Sequence, residues 1–272
     1  MSGKGKASRT FNPMLDVEML SLGSGTSQGV PVIGCHCPTC TSNDAKDKRY
    51  RSSVLFRSQG ISVLIDTGPD LRSQLLQQQV KQLDAVAYTH AHQDHTAGLD
   101  DLRPLIFRQN RPMPLYCTQE VEGRLRQQYG YIFQNADYPG VPKVRFHRLE
   151  GRSANIAGLP FQLIHAWHGE MPVLGFRLGG ISYLTDANRI DDSELEVIKG
   201  SDHLVLNALR DEPHYSHFHL EAALEVARKS GVPQVHFTHI SHHFEPHQQL
   251  QDRLPKGFSV LYDGQTLYSK GQ

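Results

Sequence analysis

Residues 90–95 read His90-Ala91-His92-Gln93-Asp94-His95, three imidazoles and a carboxylate in one short stretch, directly after the apolar run Ala85-Val86-Ala87-Tyr88. Imidazole nitrogens and carboxylate oxygens are the ordinary ligands of zinc, manganese and iron. If a strand ends at Thr89 and opens into a loop, His90 and His92 point one way while Asp94 and His95 swing round to a second ion. One segment can therefore feed two metals. A second group, Cys35-x-Cys37-x-x-Cys40, offers three thiols, with Cys117 standing apart. In a reducing compartment such close spacing favours a metal over a disulfide, and a structural zinc needs one more ligand to close its tetrahedron.

Something rigid has to hold such groups. Short apolar runs rich in β-branched residues recur at 17–22, 54–56, 61–65, 85–89, 161–165, 181–185, 204–206 and 235–238, and they predict strands. Helices are predicted over about 69–79, 99–107, 120–129, 192–198 and 220–230, the last with apolar residues at Leu220, Ala223, Leu224 and Ala227. The run 260–268 predicts a hairpin over Asp263-Gly264. Strands grouped in each half, with helices between, predict two packed sheets covered by helices. His168, Asp186 and His239 fall at or just beyond strand ends, where loops of one sheet edge can assemble a site from distant sequence. Singly, such an Asp reads as a turn or helix cap and such a His as a surface residue; beside the 90–95 motif they read as ligands. Arg177, Asn188, Arg189, Asn207 and Arg210 lie near predicted strand ends as candidate substrate contacts. Gly23, Gly25 and Gly29 would let backbone amides approach a phosphate, though most such loops are merely tight turns.

The 272 residues are 38% hydrophobic, enough for one large core, and 28 basic against 28 acidic residues give no broad nucleic-acid or membrane face. The anomaly is the sixteen histidines. No apolar run approaches the roughly 20 residues that cross a bilayer, and the start has no apolar secretion segment, so a cytoplasmic protein is expected. Residues 1–13 are read as a flexible tail and 14–272 as a single domain carrying a small structural zinc loop at 35–40.

The order His90-x-His92-x-Asp94-His95, His168, Asp186, His239 resembles the metallo-β-lactamase fold superfamily over nearly the whole chain. Within it, residues 22–31, the cysteine cluster and Thr238-His239-Ile240-Ser241-His242 resemble the cyclic phosphodiesterases of carbon–phosphorus lyase pathways, which open phosphoribosyl 1,2-cyclic phosphate. Transfer RNA 3′-processing endonucleases are more distant kin. The resemblance implies an α/β fold, a four-layer αββα sandwich, with two divalent ions, zinc or manganese, between the sheet edges. His90, His92 and His168 would hold the first ion and Asp94, His95 and His239 the second, with Asp186 bridging. His165 competes with His168. Asp66 would support the metal loop through hydrogen bonds. His242 would complete the structural zinc with Cys35, Cys37 and Cys40, His243 being adjacent. His217 matches the catalytic histidine of the phosphodiesterase members, with His219 the runner-up, and His217 and Asp94 are the residues expected in catalysis.

The chemistry needs such a set. A phosphodiester repels anionic nucleophiles and has a poor leaving oxygen; two cations lower the pKa of water from about 16 toward roughly 7–9 and draw charge off phosphorus. The departing alkoxide then needs a proton, which a histidine can give. The expectation is a phosphoric diester hydrolase for a small cyclic phosphate or nucleotide-like diester. An RNA-processing endonuclease is the first alternative; it would need a gripping arm, and the segment 130–144 is short and not basic. A noncatalytic metal-binding protein on the same fold is the second. Extended nucleic acid and membrane partners are not expected, and a homodimer is left open.

Overall fold

The computed structural model describes residues 15–134 and 140–271, so the tail read over 1–13 lies outside the described residues. Two mixed sheets face one another. The first runs β15-β1-β2-β3-β4-β5-β6, with β1 Val17–Gly23, β2 Ser53–Ser58, β3 Ile61–Ile65, β4 Ala85–Ala87, β5 Met113–Cys117, β6 Val144–Arg148 and β15 Thr266–Ser269. The second runs β11-β8-β9-β10-β12-β13-β14, with β8 Leu159–His168, β9 Met171–Leu178, β10 Ile181–Leu184, β11 Arg189–Ile190, β12 His203–Asn207, β13 Gln234–Thr238 and β14 Phe258–Val260; β7, Ser153–Ile156, pairs with β8.

The two-residue period of a strand explains the layering, because neighbouring side chains go to opposite faces. In β1, Met19 enters the core between the sheets with Phe56, Phe161, Phe176 and Tyr183. Its neighbour Leu20 turns outward to a second core under helices α2 (Leu71–Gln77), α4 (Arg103–Gln109) and α5 (Gln119–Gln128). A third core lies outside the second sheet, where Leu204, Leu206, Val235 and Phe237 meet α7 (Asp192–Ile198) and α8 (Leu220–Ser230). Three apolar layers separate four layers of structure, an αββα sandwich. Each large side chain sealed there contributes roughly 1.5–3 kcal/mol of transfer free energy. The spacing of α8 does this directly: Leu220, Ala223, Leu224 and Ala227 are all buried, and Gly231 ends the helix in the left-handed region.

Several elements differ from the sequence reading. No hairpin spans 260–268: β14 pairs parallel with β13, and β15 pairs antiparallel with β1, so the Asp263-Gly264 turn carries the chain from one sheet to the other. Asp263-Gly264 is a turn, but the strands it joins have nonlocal partners in different sheets, which no local signal reveals. Strands β5, β6 and β9 were not anticipated, being interrupted by Pro114, Arg145, Pro172 or Gly175.

β3, β4 and β5 are parallel, as are β10, β12 and β13. Parallel strands put all their carboxyl ends at one edge, and loops there converge on a crevice.

Candidate metal centre and active-site cleft

Asp66 follows β3, His90 follows β4, Asp186 follows β10 and His239 follows β13. Three of these leave their strands in the left-handed region, with φ of 66° at Asp66, 55° at Asp186 and 59° at His239. Non-glycine residues there cost backbone energy, and such strain collects at functional sites. The tight turn at each strand end aims the side chain back across the edge. Asn207 fixes one turn from below, since its side chain donates to the Ala187 carbonyl (3.0 Å) and accepts from the Ala187 N–H (2.8 Å). Gly68 permits the packing of the 90–95 loop, because a Cβ there would stand 2.3 Å from the Asp94 carbonyl oxygen.

The result is a convergent cluster. One potential ligand atom from each member lies within 4.8 Å of the others in the groups His90–His95–Asp186, His168–Asp186–His217 and Asp94–Asp186–His239, so Asp186 is common to all three. Its Oδ1 is 3.1 Å from His239 Nδ1 and 3.4 Å from His95 Nε2; its Oδ2 is 3.3 Å from His217 Nε2 and 3.9 Å from His90 Nε2. His92 stands outside these groups at the mouth, its ring centre 4.7 Å from that of His90 and 4.9 Å from that of His168. His165 is turned away, its Nε2 on the Gly151 carbonyl (2.8 Å). His219 sits at the start of α8 without a capping bond from its side chain and does not line the cleft.

Orientation comes from outside the cluster. Asp66 accepts from the Thr89 N–H (2.8 Å), the Thr89 hydroxyl (2.8 Å) and His95 Nδ1 (2.7 Å), and Thr89 Oγ1 meets His90 Nδ1 at 2.9 Å. With their Nδ1 atoms occupied, His90 and His95 present Nε2 to the cluster. Both Nε2 atoms, and Nδ1 of His168, are buried without a hydrogen-bond partner. Buried polar atoms left without partners are costly, and divalent cations in the cleft would satisfy them.

Charge agrees with that fit. Burial works against ionised Asp186 and Asp94, yet the surrounding imidazoles, His239 and His95 foremost, hold both carboxyls below their usual range. Burial drives His90 well down and His168 to about 4. Ionised carboxylates and neutral imidazoles are the protonation states a metal requires. Burial also opposes charge on His95, but Asp186, Asp94 and Asp66 outweigh it and raise that imidazole well above its ordinary value. So many carboxylates demand positive charge at the spot where Nε2 of His95 points. Burial pushes His217 down, partly offset by its bond to Asp186.

The cluster floors a cavity of about 360 Å³ rimmed by Ser27, Gln28, Arg210, Tyr215 and His243. A larger cavity of about 490 Å³ opens elsewhere, between Leu15, Arg152, Phe161 and Val197; it holds none of the imidazoles. Of the candidate substrate contacts, only Arg210 lines the cleft. Arg177 donates to the carbonyls of Gly179, Val197 and Lys199, Arg189 lies over the Trp167 ring, and Asn188 bridges backbone groups. Strand-end position alone does not tell which polar side chains reach the cleft. Gly23 and Gly25 likewise serve packing, since a Cβ would come within 2.0 Å of the Arg51 carbonyl oxygen and 3.0 Å of that of Arg49. Thr89 was missed as a supporting residue, and its position directly before His90 was the available signal.

The cysteines form a separate centre. Cys35, Cys37, Cys40 and His242 bring ligand atoms within 4.8 Å of one another, and His242 Nδ1 lies 3.2 Å from Cys35 Sγ and 3.6 Å from Cys37 Sγ. A tetrahedral edge built from zinc–sulfur and zinc–nitrogen bonds is about 3.6 Å. Backbone N–H groups of Val32 and Cys40 point at Cys40 Sγ (3.3 Å) and Cys37 Sγ (3.4 Å). The parallel bridges of Gly25 to Arg51 and to Ile240 tie this loop to both sheets beside His239.

A family model for the Beta-lactamase superfamily domain matches residues 62–240, and the chain belongs to that superfamily, with the metallo-β-lactamase fold. Within it, a solved structure described as a new diphosphatase from the PhnP family superposes with a TM-score of 0.86 at 40% identity, over 92% of this chain and 97% of that one. The Zn(2+)-bound PqqB of Methylobacterium extorquens, 20% identical, superposes with a TM-score of 0.72 over 92% of this chain and 99% of that one, a likeness of fold. An octanoyltransferase of Porphyromonas gingivalis (strain ATCC BAA-308 / W83) is 38% identical over 246 residues, 89% of this chain and 50% of that protein. The chain thus spans about half the length of this curated relative.

Proposed function

We propose that this protein is a dinuclear metal-dependent phosphodiesterase acting on a small substrate, a cyclic phosphate such as phosphoribosyl 1,2-cyclic phosphate or a nucleotide-like diester. The observation that carries this reading is the pair of buried imidazole nitrogens without hydrogen-bond partners, Nε2 of His90 and of His95, 3.9 and 3.4 Å from the shared carboxylate of Asp186. His90, His92 and His168 would hold one divalent ion and Asp94, His95 and His239 the other, with Asp186 between them. Such a pair supplies Lewis acidity, activating water and neutralising phosphate charge. Cys35, Cys37, Cys40 and His242 would hold a structural zinc that keeps the 24–42 loop against the His239 turn.

The chain's own residues do the rest. Asp66 and Thr89 hold His90 and His95 in one tautomer, and the rim confines the substrate. Arg210 is the one lysine or arginine among the described residues lining the cleft, which suits a substrate with an anionic group at the mouth. His217 faces the cluster through Nε2 and moves a proton from that atom to the departing oxygen. A cavity of about 360 Å³ matches a small ligand. The relationship to a PhnP-family diphosphatase at 40% identity supports phosphorus chemistry.

Acyl transfer, named for a protein twice as long, finds no thiol nucleophile in the cleft. Three of the cysteines sit in the zinc loop, and Cys117 is buried in the first sheet with its thiol raised by burial to about 12. The test is a screen of metal-loaded protein against 1,2- and 2′,3′-cyclic phosphates, linear dinucleotides, diphosphate-linked nucleotides, transfer RNA precursors and octanoyl thioesters. Turnover of a small cyclic or linear diester at least about 100-fold above that of transfer RNA precursors is expected, a margin of about 2.7 kcal/mol. Preference for the RNA or the thioester would overturn the assignment.

A further inference from the structure

Resting on the reading of His217 as the acid, we propose that His214 is a positioning residue that locks His217 into the tautomer in which Nδ1 carries the fixed proton and Nε2 alone exchanges protons with the substrate.

His217 Nδ1 lies 3.2 Å from His214 Nδ1 and 3.2 Å from Ser216 Oγ, which itself stands 3.4 Å from His214 Nδ1. Two imidazole nitrogens facing each other hold one proton between them, so one must donate and the other accept. The backbone decides which. The Ser216 N–H, which can only donate, points at His214 Nδ1 at 3.3 Å. His214 therefore offers a lone pair at Nδ1 and keeps its own proton on Nε2. His217 must then carry hydrogen on Nδ1, whether it donates to His214 directly or through the Ser216 hydroxyl. On the other side of the ring, Nε2 faces the Asp186 carboxylate, which only accepts, at 3.3 Å, so the acid form is the imidazolium with hydrogen on both nitrogens, and giving the Nε2 proton to the leaving oxygen leaves the Nδ1–H tautomer. Proton exchange is thereby confined to the nitrogen that looks into the cleft, the logic by which a fixed partner sets the tautomer of a catalytic imidazole.

The loop that carries His214 is held for this. Arg210 donates to the carbonyls of Glu212 (3.3 Å) and Pro213 (3.1 Å), closing the turn just before His214. Asn188 donates to the Tyr215 carbonyl (2.9 Å) while accepting from the Gly169 N–H (2.9 Å), which joins this loop to the end of β8 beside His168. The His217 ring itself packs at 4.8 Å and 20° on His239 and at 4.5 Å on His168. The stacking limits tilt, and His214 limits rotation about the ring axis.

The test uses the zinc-loaded 272-residue chain. Long-range ¹H–¹⁵N spectra of the imidazoles should show His217 protonated at Nδ1 and His214 at Nε2; a bare Nδ1 on His217 would overturn the proposal. His214→Ala should retain its metal content yet lower kcat about 10–100-fold on a diester with a poor leaving group, leaving KM and turnover of p-nitrophenyl esters nearly unchanged. His214→Asn, which keeps an acceptor at the Nδ1 position, should recover most of that loss. Equal defects in the Ala and Asn variants, or none in either, would overturn the positioning role. His217→Ala separates the two readings: if it slows poor leaving groups while His214→Ala does not, only the positioning fails, and if His217→Ala is as active as the parent, the acid assignment fails with it.

Discussion

The two ligand clusters differ in what surrounds them. The cysteine centre has four candidate ligand residues with ligand atoms within 4.8 Å of one another and backbone N–H groups on two of its sulfurs. The histidine–carboxylate centre has more candidate ligands than one ion needs, buried imidazole nitrogens without hydrogen-bond partners, and a cavity above it. A closed set serves structure and an open one serves chemistry. The difference is also one of construction. The cysteine loop is local in sequence apart from His242, whereas the cleft draws on the ends of β3, β4, β8, β10 and β13.

The comparison breaks most sharply at Asp186, which belongs to every group in the cleft and to none in the cysteine centre. Asp186→Asn is expected to remove cleft metals and lower diester turnover by about 10³-fold or more, with one zinc per chain retained; this is several kcal/mol of lost charge stabilisation. Loss of the remaining zinc as well, by mass spectrometry of the native protein, would show that the centres are not independent. Next in size, His217→Ala should keep all metals and cost about 10²-fold or more on poor leaving groups but far less on activated ones such as bis-p-nitrophenyl phosphate. Equal losses on both would deny it the acid role. Asp66→Asn removes an acceptor from His95 and Thr89 and should weaken cleft metal affinity by about 10–100-fold in a chelator titration. Unchanged affinity would mean that the tautomers of His90 and His95 are fixed by something else.

Cys37→Ser probes the other side. One zinc equivalent should be lost with the cleft pair kept, and turnover should fall by about 10-fold as the 24–42 loop loosens beside His239. A full zinc complement would remove the cysteine centre from the account.

The smallest effect belongs to the second fastening of that loop. The Arg49 guanidinium donates to His247 Nδ1 (3.0 Å), and Asp47 accepts from the His247 N–H (2.8 Å). Burial first, then the charges of Arg49 and Lys46, push His247 down to about 4. An unfolded histidine titrates near 6.5, so the native state prefers the neutral ring; its contribution is whole above that pH and fades as pH falls toward 4. Between pH 7 and 5 the parent should lose about 1–2 kcal/mol more stability than His247→Gln in urea titrations. Parallel pH profiles would contradict it.

Much of this was legible in the chain because the chemistry concentrates there. The 90–95 stretch marks one candidate metal site by density, and the cysteine spacing marks a second, and the fold gathers side chains of both into compact groups. The sheets were legible where strands such as 61–65 are apolar throughout, and α8 where its spacing is helical. What escaped depends on distant partners. Residues 258–269 carry two strands and a turn, but nothing local says that β14 joins β13 while β15 crosses to β1. Arg177 and Asn207 carry polar groups at strand ends just as Arg210 does; only the fold shows that Arg210 alone of the three lines the cleft. The choices of His168 over His165 and His242 over His243 came from family resemblance, and the geometry now places His168 beside Asp186 and His242 among the thiols.

Central to the proposal is that metal held in the cleft, and not in the cysteine loop, would supply the diesterase activity. The most direct measurement is hydrolysis of bis-p-nitrophenyl phosphate by metal-stripped protein refilled stepwise with zinc or manganese, with bound metal counted at each step. Turnover should stay near background while the cysteine centre alone is filled and rise as the cleft takes up its two further equivalents. Full turnover with the cleft empty, or none with it filled, would contradict the account.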